Sequence, residues 1–172
     1  MIKTRKESQE VYYSNDKVIG ISQQDIIKLK NLALKNERKR VRLCTHKSVN
    51  DTLHEMFIVL SRDCYIRPHK HFGKVESMSI LEGEANLILF SDNGDVLRVL
   101  EMGGQNSNKL FYHKIVEPVF HTLIIQTPFL VYQEITQGPF IKSDTLYADW
   151  APEVFDKSFM SRINQQLENM VT

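Results

Sequence analysis

Apolar residues recur along this chain with two periods, and the change from one to the other divides it. Ile26, Leu29 and Ala33 repeat at helical spacing, which predicts a helix over about 22–37 with one apolar face. Ser22 and Asp25 suit its start: a serine oxygen can cap a free backbone amide, and a carboxylate is favoured near the positive end of the helix dipole. Lys35, Arg38 and Lys39 fall where it ends, where cations are favoured. From Arg40 onward the period becomes two. In the stretch 40–46, Val41, Leu43 and Thr45 share one side while Arg40, Arg42, Cys44 and His46 share the other.

The same alternation or short apolar runs mark strands over 54–61, 65–71, 76–81, 85–90, 96–100, 110–115, 121–126 and 129–136. Asn93-Gly94 between two of them reads as a hairpin turn, because both residues tolerate positive φ. At least eight short strands without helices between them predict a mainly β sandwich or small barrel. After Pro152 the spacing of Phe155, Phe159, Ile163 and Leu167 predicts a second helix, packed on the barrel or on a second subunit. The expected organisation is one domain: an extension over 1–39, a barrel over 40–150 and a terminal helix over 151–172.

Composition narrows the class. The 172 residues are 42% hydrophobic and 25% charged, with 22 Lys and Arg against 21 Asp and Glu. Those are globular proportions, and the near-neutral balance argues against nucleic acid as a partner. The neutrality conceals a gradient: residues 1–47 hold 12 basic against 5 acidic groups, and residues 48–172 hold 10 against 16. The densest apolar run, 56–60, suits a buried strand rather than a membrane span. Cys44 and Cys64 have no CxxC spacing, and the N-terminal residues lack an apolar signal-peptide core, so a reducing, cytoplasmic setting is expected.

The chemistry concentrates in Pro68-His69-Lys70-His71-Phe72-Gly73-Lys74-Val75-Glu76, followed by Gly83. Histidines two apart on a strand point to one face, so both imidazoles can reach one metal while a carboxylate on the next strand closes from the side. A third imidazole could come from His113 or His121. His121 is favoured, because it opens an alternating stretch with Leu123 and Ile125 after a proline-bearing turn. The expected metal ligands are therefore His69, His71, Glu76 and His121. This mixed N/O set accepts one divalent ion, Fe, Mn, Ni, Zn or Cu, and leaves coordination positions open for a ligand. One glutamate against a divalent ion leaves a net positive site suited to hydroxylated, carbonyl or anionic ligands.

The segment resembles the first motif of the cupin superfamily, HxHx4Ex6G, at His69, His71, Glu76 and Gly83. Asp63 stands where the family has a further glycine. His121 fits the histidine of the second motif, while Val116, Pro118 and Ile125 replace its proline, glycine and asparagine. A narrower likeness covers about 40–152. Arg40-x-Arg42-x-Cys44-Thr45-His46, His54-Glu55-Met56, Lys74-x-Glu76-Ser77, Leu81-Glu82-Gly83, Gly138-Pro139-Phe140 and Trp150-Ala151-Pro152 look like the WbuC-type cupin-fold metalloproteins. That resemblance implies a cupin jelly-roll barrel, a metal and a place in bacterial O-antigen and surface-polysaccharide biosynthesis.

The functional expectation is a metal-dependent isomerase or epimerase acting on a sugar or nucleotide-sugar. An iron-dependent dioxygenase and a non-catalytic sugar-binding or regulatory cupin are the alternatives. Arg40 and Arg42 could hold a phosphate or carboxylate by bidentate hydrogen bonds, with His46 as a third substrate-binding group. His46 and His54 are the candidate proton carriers. The two thiols read as buried residues rather than nucleophiles. A homodimer is expected, and no membrane partner.

Overall fold

Ser22 starts the first helix through a capping box. Its Oγ accepts from the amide of Asp25, and the Asp25 carboxylate accepts from the Ser22 amide at 3.0 Å. The protein, seen here as a computed structural model that describes residues 2–171, places this helix α1 over Gln23–Lys35. Ile26, Leu29 and Ala33 are buried as the spacing requires. Twelve strands accompany it among the described residues. In chain order they are β1 (Thr4–Lys6), β2 (Val11–Ser14), β3 (Arg40–Cys44), β4 (Leu53–Ser61), β5 (His69–His71), β6 (Glu76–Glu82), β7 (Glu84–Phe90), β8 (Val96–Gly103), β9 (Tyr112–Ile115), β10 (Phe120–Ile125), β11 (Phe129–Gln137) and β12 (Thr145–Tyr147).

They form two facing sheets, ordered β1-β2-β3-β4-β11-β6-β9 and β12-β5-β10-β7-β8. Every named pairing is antiparallel except β2 with β3. That parallel pair is joined through α1, since parallel neighbours need a long crossover. Period-two patterning then sorts the side chains. Met56, Ile58, Leu60, Met78, Ile80 and Leu130 meet Ala85, Leu87, Leu123 and Ile125 between the sheets. The outer face of the larger sheet packs Val41, Leu43, Val59 and Val131 against α1. The outer face of the smaller one buries Ile88, Phe90 and Phe120 under the second helix, α2 (Lys157–Val171), through Phe159 and Ile163. This is a cupin-type jelly-roll barrel with a helix on each side.

Several boundaries differ from the sequence expectation. The strand expected over 65–71 is reduced to β5, because Pro68 has no amide to donate and the residues before it bond elsewhere. Tyr65 Oη donates to the Pro152 carbonyl at 2.8 Å, and the Ile66 carbonyl accepts from Thr122 Oγ1 at 2.5 Å. The second helix starts at Lys157 rather than beside Pro152, since Asp156 caps it by accepting from the Phe159 amide at 2.7 Å. Phe155 therefore precedes the helix and is 56% exposed, so the apolar stripe is Phe159, Ile163 and Leu167. Strands β1, β2 and β12 lie outside the expected set. No helix among the described residues is long and apolar enough to cross a membrane.

Candidate metal centre

Strand β5 is three residues long, and alternation turns both of its histidines into the barrel. β10 lies beside it with His121 in register opposite His69. The ring centroids of His69 and His121 are 4.6 Å apart, and those of His69 and His71 are 5.0 Å apart. One nitrogen from each of His69, His71 and His121 lies within 4.8 Å of the others, a grouping able to hold a metal ion.

The opposite nitrogens are already engaged. Nδ1 of His69 lies 2.9 Å from the Arg67 carbonyl, and Nδ1 of His121 lies 3.0 Å from the Val119 carbonyl. A carbonyl only accepts, so both Nδ1 atoms carry the proton and both Nε2 atoms present lone pairs. Nδ1 of His71 faces Thr145 Oγ1 of β12 at 3.0 Å, a partner able to accept or donate. Glu76 enters from the first position of β6, in the other sheet. Its carboxylate oxygens stand 3.3 Å from His71 Nε2 and 3.7 Å from His121 Nε2. His113 lies outside the three-histidine group, so between the two competitors the fold brings His121 to His69 and His71.

Burial shapes the electrostatics. It pushes His69 down to about 3, with His121 adding to the effect, and it lowers His121 as well. Both rings are therefore neutral near pH 7, the form a metal requires. Burial works against an ionised Glu76, but the hydrogen bond from His71 and the neighbouring His121 outweigh it and hold its carboxyl below the usual range. Three neutral imidazoles and one carboxylate fit a divalent transition-metal ion.

The other candidates lie farther round the barrel. Arg42, exposed, projects from the inner face of β3, where Cys44 joins the core between the sheets. Arg40 Nε donates to Glu10 at 2.7 Å, an ion pair that occupies the first of the two arginines. His46 and His54 stack on each other with centroids 4.1 Å apart and planes 1° apart, and Tyr13 meets His46 edge-on. His46 Nδ1 contacts the backbone of Glu55, whereas the buried His54 Nε2 has no partner among the described residues. Tyr65 points to the outer face, toward Phe155 and Phe159. Both cysteines are free and buried, and burial pushes their thiols up to about 11.

Three interior groups were not marked as site residues by the sequence: Thr145, Tyr132 and Glu134. Tyr132 and Glu134 occupy alternate positions of β11, in register with Ile58 and Met56 of β4. Burial, reinforced by Glu76, pushes the Glu134 carboxyl up to about 8. The available signal was parity: a glutamate on the inward phase of an apolar strand.

Comparison with known proteins places the chain by fold. A family model described as a domain of unknown function, DUF6016, matches residues 21–102, which include His69, His71 and Glu76 but not His121. No curated protein matches the sequence. CapF, a capsular polysaccharide assembling protein from Staphylococcus aureus, superposes with a TM-score of 0.52 at 16% identity, over 65% of this chain and 32% of CapF. CapF bound to the inhibitor 3-isopropenyl-tropolone gives 0.51, again at 16% identity and over 65% of this chain and 32% of that one. This chain thus spans about a third of CapF's length. Oxalate decarboxylase from Bacillus subtilis superposes at 0.47 with 13% identity, over 67% of this chain and 29% of that one. At 16% identity the likeness to CapF is one of fold.

Proposed function

We propose that this chain is a metal-dependent enzyme of the WbuC type that isomerises or epimerises a sugar or nucleotide-sugar in bacterial surface-polysaccharide (O-antigen) biosynthesis. The observation that carries the reading is the convergence of His69, His71 and His121, with Glu76 beside them, on one point of the barrel interior. The pathway rests on the motifs shared with WbuC-type proteins, and the capsular polysaccharide role of CapF is of a related kind.

In this reading His69, His71, Glu76 and His121 hold one divalent ion, which polarises a carbonyl or adjacent hydroxyl when bound. The chain's own residues do the rest. Arg42, whose backbone amide donates to the Glu10 carbonyl while its guanidinium is not paired with the Glu10 carboxylate, orients an anionic part of the substrate. His54 is the proton carrier, since its Nε2 is unpartnered and Thr136 alone separates it from Glu76 across the sheet register. It takes the proton from the carbon next to the carbonyl; the C–H electron pair forms the C=C bond and the carbonyl pair moves to oxygen. In an isomerisation the proton returns to the former carbonyl carbon while the adjacent hydroxyl gives its proton to the former carbonyl oxygen, so the C=O re-forms one carbon along; in an epimerisation the proton returns to the opposite face of the carbon that lost it and the C=O re-forms in place.

The test is incubation of the metal-loaded protein with a panel of nucleotide-sugars in deuterated water. Deuterium appears at the carbon next to a carbonyl, and replacement of His69 and His71 by alanine removes both metal and exchange. Turnover intact in the metal-free double variant contradicts the proposal, and oxygen consumption coupled to turnover assigns dioxygenase chemistry instead.

A further inference from the structure

His113 is 7% exposed, and neither of its ring nitrogens has a hydrogen-bond partner among the described residues. A neutral imidazole carries one N–H and one lone pair, and burying them unpaired is costly enough that native interiors rarely do it. An orphaned pair of this kind points to a partner that binds. The register says where that partner sits. β9 pairs His113 with Met78 of β6, two residues along the same inner face from Glu76. Glu76 and His121 are the charged or titratable groups that bear on its ring. His113 thus lies near Glu76 on the same inner face, within electrostatic reach of it and of His121, without belonging to the three-histidine group.

We infer that His113 is a catalytic residue of the proposed reaction: its ring N–H donates to the substrate oxygen that gains negative charge as the neighbouring carbon loses its proton. The inference rests on the metal-centre reading above and narrows the substrate to an enolisable carbonyl compound, such as the open-chain form of a sugar. Burial favours the neutral ring, and a neutral imidazole is the suitable donor here, since it stabilises the oxygen without delivering its proton beforehand. The other nitrogen then accepts from a hydroxyl of the same ligand. Atoms balance: His54 holds the transferred proton, and His113 only shares its own.

Acetohydroxamate is the probe, because it presents adjacent oxygens as an enediolate does, and acetate is the control. Both are titrated into cobalt-loaded protein by visible absorption, with cobalt affinity measured separately. In the wild type a new downfield N–H proton resonance from His113 accompanies acetohydroxamate binding. H113F binds acetohydroxamate at least about tenfold more weakly, while cobalt affinity and acetate binding stay within about twofold, and H113N recovers part of the loss. Equal acetohydroxamate binding by the wild type and H113F, or no resonance, overturns the role of His113 and leaves the metal centre standing. A wild type that binds neither cobalt nor any of Fe, Mn, Ni, Zn and Cu overturns both.

Discussion

Nε2 of His71 lies 3.3 Å from Oε2 of Glu76, and the two residues belong to different sheets. The short turn between β5 and β6 therefore crosses the barrel and delivers an imidazole and a carboxylate to the same point. In the metal-free protein this contact pairs an imidazole with a carboxylate; with an ion bound as proposed, the same two atoms would be adjacent donors. Glu76→Gln keeps the size of the side chain and removes its charge. The expected result is a metal affinity at least about tenfold lower, a loss of about 1.4 kcal/mol or more, with unchanged circular dichroism. Competition against a chelating dye measures it.

Thr145 serves His71 differently from the way carbonyls serve His69 and His121. Its hydroxyl can donate to an unprotonated Nδ1 or accept from a protonated one, so it would follow the tautomer change that ligation through Nε2 would impose. Thr145→Val leaves His71 without that partner. Losses from such supporting groups run about 10–100-fold in metal affinity, and that range is expected here, by the same dye competition. The midpoint of thermal unfolding of the metal-free variant should change far less.

The His46–His54 stack makes stability depend on pH. Burial holds His46 below its ordinary value of 6.5, and His54 beside it adds to the effect. The ring stays neutral in the fold while the unfolded chain takes up a proton below 6.5, so the unfolded state binds more protons there. Stability is thus fully present above that pH and declines as pH falls, by up to about 1.4 kcal/mol per pH unit. Urea unfolding between pH 7.5 and 5.5 reads the slope, and His46→Phe flattens it.

Gly83 joins β6 to β7 with φ at 86°. A Cβ there would collide with the Phe129 carbonyl oxygen and stand 2.6 Å from Thr127 Oγ1. Gly83→Ala combines left-handed strain of about 1–2 kcal/mol with that collision, so a loss of at least about 2 kcal/mol is expected in chemical unfolding.

Much of the barrel was legible because strand alternation is a local property. His69 and His71 face one way for the same reason that Met56, Ile58 and Leu60 do. The helix start at Ser22 was likewise written in neighbouring residues. What escaped depends on distant partners. Nothing near Arg40 announces that Glu10 will claim it, and nothing near Thr145 announces His71. Thr4, Arg5 and Lys6 carry no apolar alternation to mark β1, and the four residues of β2 are too few to mark a strand by themselves; both become strands by pairing at the edge of the sheet. Tyr132 and Glu134 sit within a run whose apolar neighbours masked their inward phase.

Everything proposed for this barrel depends on one ion held by His69, His71 and His121 with Glu76. The decisive measurement is elemental analysis of the purified protein after exposure to Fe, Mn, Ni, Zn and Cu. About one ion per chain is expected for at least one of these metals, and none for a variant carrying alanine at 69 and 121. Binding below about a tenth of an ion per chain for all five, or equal metal content in that double variant, contradicts it.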